Sequence, residues 1–280
     1  MMKYIVNADD LGYNSSVNAA ISQAFESGVI SSSTIMANTT TWEEVCKVVD
    51  NNPQASFGVH LNLTEGKAIT DSEVLRKYKL VDENNCFLLD NIKLKKEQYL
   101  PEDLREAIRN EWDEQINLVI NIHKIPVTHF DGHHHIHSTF GLRQILLDLT
   151  RKYGIGIVRN MYCLPSTKHT LRDYLYDILN MSYRLTGIPK SRKSVVDKIV
   201  MSKIWHKEVS ANVILTPYFS AYETACDFLK GGNKITDTIE LMCHPGSTLF
   251  IKEMEFVDRF LFKELQCDAI MVNYKEIYNQ

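Results

Sequence analysis

The chain has 280 residues, of which 44% are hydrophobic and 24% charged, and it carries a formal net charge of −4. That length can bury a large core in a single α/β domain, and the acidic balance excludes a nucleic-acid binder held by a general basic field. The cysteines are scattered with no CxxC pair, which excludes a zinc knuckle, and no apolar run is long enough to span a membrane.

The N-terminus, MMKYIVNADDLG, runs directly into a strand pattern. It shows no apolar leader with a cleavage site, so the expected compartment is the reducing cytoplasm. KYIVNA (3–8) is a short apolar run of β-formers. SSVNAAISQAFESG (15–28) places Val17, Ala20, Ile21, Ala24 and Phe25 at helical spacing, with a Ser cap before it and Gly28 closing it. VISSSTIMAN (29–38) reads as a strand, TWEEVCKVVDNN (41–52) as a helix, and ASFGVHLNL (55–63) as a strand. Residues 64–100 read as a polar, irregular excursion. PEDLREAIRNEWDEQINLVINIH (101–123) is the clearest helix, with Leu104, Ile108, Trp112, Ile116, Val119 and Ile120 on one stripe.

PVTHFDG (126–132) is a strand that leads into HHHIH. A helix over 141–154 and a strand over 155–162 follow. Residues 164–210 form a second, locally basic excursion. IELMCHPG (239–246) is a late strand, and CDAIMVNYKEI (267–277) a final strand and turn. Repeated βα units in one domain, 1–280, predict a mainly parallel sheet, open or closed into a barrel. In such folds chemistry sits at the C-terminal ends of the strands.

Polar residues occupy those ends. Asp9 and Asp10 follow the first strand, and His60 lies late in the third. Asp131 and His133 close the strand that starts near Pro126. Arg159 ends the next, and His244 follows IELMC. Singly, His60 reads as a hydrogen-bonded structural histidine and Asp9–Asp10 as a turn cap. Five strand exits together read as one site. A carboxylate with two imidazoles suits a divalent ion. The side chains of adjacent aspartates diverge, so one can bind metal while the other faces substrate. His133, His135 and His137 share a face if their run is extended, and the sequence does not choose among them; His134 has the opposite parity.

IVNADDLG, GVISSSTIMAN, FGVHLNLTEG, THFDGHHHIH and MCHPG, in this order over about 240 residues, resemble the YdjC-like carbohydrate deacetylases. Leu11 stands where that family usually has Phe, and Gly132 where Ser often follows the aspartate. The excursions match poorly. The resemblance implies a distorted (β/α) barrel that removes the acetyl group from an N-acetylated sugar, releasing acetate. It implies one divalent ion, Mg or Zn, on Asp10, His60 and His133, with Asp9 as base and His244 as acid. Arg159 resembles an arginine that holds the base carboxylate, and Asp131 a residue that orients a histidine. A homodimer is compatible with this reading. Two other readings stand beside it. A metal-dependent hydrolase of a phosphoester or cyclic amide often carries His-x-His on its first strand, where this chain has Asp-Asp. A non-catalytic sugar- or metal-binding protein needs neither base nor acid.

Overall fold

The computed structural model describes residues 2–97, 99–159, 213–216, 238–247 and 269–278. Its elements alternate much as the periodicity predicts. They are β1 (Met2–Leu11), α1 (Ser15–Glu26), β2 (Ser32–Ile35), α2 (Trp42–Asn51), β3 (Ser56–Leu61), α3 (Glu73–Lys77), α4 (Glu102–Asn117), β4 (Val127–Gly132) and α5 (Arg143–Tyr153). After these come β5 (Val213–Thr216), β6 (Thr238–Cys243), β7 (Ala269–Met271) and α6 (Tyr274–Tyr278).

The strands run in the order β4-β3-β2-β1-β6-β5, all pairs are parallel, and β7 pairs with the start of β1. A parallel bridge from Phe130 to Val158 adds the stretch before Arg159 outside β4. Read from β1 in both directions, this order is compatible with a closed barrel and with an open sheet. The pair that would close the ring is not among the described residues, and neither is the excursion at 164–210. Among the described residues, no helix is long and apolar enough to cross a membrane.

Each helix forms because its apolar spacing matches the turn. In α4, Leu104, Ile108, Trp112 and Ile116 are buried against the sheet, and the stripe continues through Val119 in a π turn. At the start of α1 the cap is Asn14, whose side chain accepts from the Val17 amide at 3.0 Å, rather than a serine.

The expected irregular excursion at 64–100 is largely ordered. It contains α3, a 3-10 stretch at Leu89–Lys96 and antiparallel bridges Lys67–Cys86 and Val81–Phe87. Leu75, Leu80, Val81, Phe87 and Leu94 bury their side chains in the main core. Isolated apolar residues anchor it, which no local period reveals. β5 is not among the expected strands, although its residues, VILT, are a short run of β-formers followed by Pro217.

The two faces of the sheet differ. The outer face carries Val6, Ala8, Ile35, Val59 and Phe130 against the helices. The inner face is largely polar: Asn7, Asp9, Thr34, His60, His129, Asp131, Arg159 and Glu240 are all buried. Ile5, Ile157, Val272 and Tyr274 form a small apolar plug at its base. His129 stacks on Tyr274, with ring centroids 3.6 Å apart. Gly58 makes room for it, since a Cβ there would lie 2.7 Å from the His129 ring.

Candidate active site

The site begins at the end of β1. Ordinary alternation would send Asp10 to the outer face beside Ala8. Instead the pairing of β1 with β2 shifts register between Ala8 and Leu11, and Asp10 takes φ +72°. This left-handed residue is tolerated because aspartate is among the few side chains that visit that region. The bulge brings both carboxylates to the inner rim, aimed at different partners.

Asp10 Oδ1 lies 2.8 Å from His133 Nδ1 and 3.2 Å from His60 Nε2. One ligand atom from each of the three residues can be chosen so that all lie within 4.8 Å of one another. One carboxylate and two imidazoles, nearly buried and converging on a common point, fit a divalent ion. Two other groups among the described residues meet the same separation: Glu65, His133 and His134, and Asp9, His60 and Asp131. Burial disfavours charge on His60, but Asp131 and Asp10 outweigh it and push the ring up to about 10. His133 behaves likewise, with burial overcome by Asp10, and rises to about 9.

Asp9 points the other way. Arg159 grips it with two parallel bonds, Nη1 to Oδ2 and Nη2 to Oδ1, both 2.6 Å. The same guanidinium donates to Glu240 Oε1 through Nε at 2.9 Å and Nη2 at 2.6 Å, and Nη2 lies 2.9 Å from Asp131 Oδ2. Burial alone would raise the Asp9 pKa, but Arg159 outweighs it and holds the carboxyl well below the usual range. Burial wins at Glu240, whose pKa is raised despite Arg159. Arg159 faces Asp9, Asp131 and Glu240, and a protonated His60 adds a second positive charge against them. That balance makes so many buried ionisable groups tolerable.

Asp131 pairs with a histidine. Its Oδ1 is 2.7 Å from His60 Nδ1, and Thr34 Oγ1 donates to its Oδ2 at 3.0 Å. His244 follows β6, where Pro245 and Gly246 turn the chain and the Ser247 amide bonds back to the His244 carbonyl. Its Nε2 stands 4.0 Å from Asp9 Oδ2. Asp9, Asp10, His60, His133, Arg159 and His244 therefore meet at one rim of the sheet.

The histidine run is not extended. His133–Ser138 is a 3-10 stretch in which His134 and His135 adopt left-handed angles. Parity is lost, and only His133 joins the Asp10 group. His134 meets Thr64 Oγ1 at 3.0 Å, and the buried His137 meets the Arg159 carbonyl at 3.1 Å. Gly132 permits this, because a Cβ there would lie 2.9 Å from His137 Nδ1.

Sequence reasoning missed Glu65 and Glu240. Glu240 alternates with apolar neighbours in a strand that is buried on both faces, and a carboxylate at such a position signals an interior partner. Glu65 sits within the LTEG segment and reads as a loop residue.

The family model described as YdjC-like protein matches residues 3–261. A carbohydrate deacetylase of Clostridium beijerinckii is 26% identical over 246 residues, covering 88% of this chain and 82% of that protein. A carbohydrate deacetylase of Geobacillus stearothermophilus is 32% identical over 196 residues, covering 70% and 73%. A crystal structure of an Enterococcus faecalis V583 protein, provisionally named for cellobiose-phosphate cleavage, superposes with a TM-score of 0.69. It shares 23% identity, and the match covers 99% of this chain and 98% of that one, which supports the fold.

Proposed function

The chain belongs to the YdjC-like protein family, and from that membership and the geometry of its site we propose that it is a carbohydrate deacetylase. It hydrolyses the acetamide of an N-acetylated amino sugar or oligosaccharide, and residues 1–280 act as one domain. The observation that carries the reading is the pairing of two proton-transfer groups beside a metal-type donor set. Asp9 and His244 approach within 4.0 Å next to Asp10, His60 and His133.

Asp10, His60 and His133 would hold one divalent ion, Mg or Zn. Such an ion polarises a carbonyl and lowers the pKa of bound water towards about 7. Asp9 accepts the proton of the attacking water. Arg159 keeps Asp9 ionised and fixes its orientation, at the cost of making it a weak base. His244 protonates the leaving amine, which as an alkyl amide nitrogen is otherwise a poor leaving group. Acetate and the free amino sugar are the products. Asp131 fixes the His60 ring so that Nε2 faces Asp10.

The test is mass spectrometry of products from a panel of N-acetylated mono- and oligosaccharides, run beside phosphoester substrates. Exchange of an acetyl group for hydrogen is expected on at least one. Cleavage confined to phosphoesters, or binding without turnover across the panel, would refute the proposal.

A further inference from the structure

Each imidazole of the proposed metal set has a second nitrogen that faces away from Asp10. For His60 that atom is Nδ1, which meets Asp131 at 2.7 Å. For His133 it is Nε2, which is buried with no hydrogen-bond partner at standard geometry. Glu65 Oε1 stands 3.5 Å from it, at the long edge of hydrogen-bond reach.

We propose that Glu65 is a positioning residue for His133, doing for that ring what Asp131 does for His60. The inference rests on the metal reading above. His133 presents Nδ1 to Asp10, so Nδ1 must be unprotonated to bind an ion, and the ring hydrogen must then sit on Nε2. A buried N–H needs an acceptor. Glu65 is the carboxylate placed to provide one, fixing both the tautomer and the ring plane.

Glu65 is itself held. Tyr13 donates its hydroxyl to Glu65 Oε2 at 2.9 Å, which leaves Oε1 turned towards the histidines. The Glu65 carbonyl accepts from Asn62 Nδ2 at 2.5 Å and Asn38 Nδ2 at 2.8 Å. Asn62 Oδ1 accepts from the Glu65 amide at 3.2 Å. Three side chains thus clamp one loop residue. His134 also faces Glu65 Oε1, at 3.6 Å, but its own Nδ1 is engaged by Thr64 and it lies outside the Asp10 group.

The test measures zinc affinity and stoichiometry on the full chain by chelator competition, with cobalt substitution as a spectroscopic report on ligand geometry. Wild type should bind one ion. Glu65→Ala should weaken binding about 10–100-fold, the usual effect of losing such an outer partner, and should shift the cobalt absorption bands. Glu65→Gln, which keeps an acceptor oxygen but no charge, should lose less and guards against misfolding of the alanine variant. Tyr13→Phe should weaken binding modestly in wild type and have no further effect in Glu65→Ala. Unchanged affinity and unchanged cobalt bands in Glu65→Ala would overturn the inference while leaving the metal reading intact. Two ions in wild type and one in Glu65→Ala would also overturn it, by making Glu65 a ligand of a second ion with His133 and His134. Absence of any bound ion in wild type would fail the metal reading itself.

Discussion

Arg159→Met tests the charge balance on which the site is built. Arg159 is 1% exposed and carries the positive charge that Asp9, Asp131 and Glu240 all face. Methionine fills much of the space but leaves Asp9 and Asp131 as buried carboxylates opposed chiefly by His60. Breaking a buried ion pair from one side costs about 3–5 kcal/mol. Unfolding entropy is about 2.1 cal/mol/K per residue, or about 590 cal/mol/K for 280 residues, so Tm should fall by about 5–9 °C. The pH dependence carries the sharper test. In wild type the Asp9 pKa is depressed, so its contribution is present above the unfolded value and lost only as acid reaches the folded value. Without Arg159, burial is opposed mainly by the two histidines and the Asp9 pKa rises. Burial without Arg159 should carry it above the unfolded value, so the sign reverses and the stability gap narrows as pH falls from 7.5 to 5. Calorimetry of the metal-free proteins at the two pH values measures both effects. A loss of less than about 2 °C, or a gap that does not change with pH, would show that Arg159 is not the counter-charge that holds Asp9 ionised.

Asp10→Ala, His60→Ala and His133→Ala should each lose the bound ion, whereas His134→Ala should keep it; metal analysis of purified variants decides, and full occupancy in His133→Ala would reject the ligand set. In the metal-free state His60 and His133 hold protons up to about 10 and about 9, so protons compete with the ion and metal affinity should climb with pH through that range. Calorimetric titrations at several pH values measure it, and a flat profile would contradict the raised values. Asp9→Asn should retain metal while kcat falls by about 10²–10⁴; loss of metal instead would exchange the roles of the two aspartates. His244→Ala should depress amide cleavage severely yet spare much of the activity on an activated aryl acetate, with equal losses on both substrates speaking against an acid.

The sequence by itself determined most of the order of strands and helices, though not α3 or β5, and the seven polar residues at the strand exits. It could do so because both signals are local. A period of two or of 3.6 sets which face a residue takes, and in a parallel sheet the strand ends share one rim. From Asp9 to His244 those ends could be read one strand at a time. The family resemblance then assigned roles that spacing alone left open, as with His133 against His135 and His137.

Only the tertiary structure decided how those residues engage. Arg159 meets Asp9 from 150 positions away, together with Glu240 and Asp131, and no local pattern encodes a contact between side chains that distant. Asp10 reaches His60 and His133 because a bulge and a left-handed backbone override the alternation its position implies. The histidine run coils instead of extending, so shared parity became irrelevant and His133 alone joined the group. Glu65 turned from a loop residue into the group facing His133 because Tyr13, Asn38 and Asn62 hold it there. A side chain's direction at a strand end depends on what packs around it, and that is settled only when the whole chain has folded.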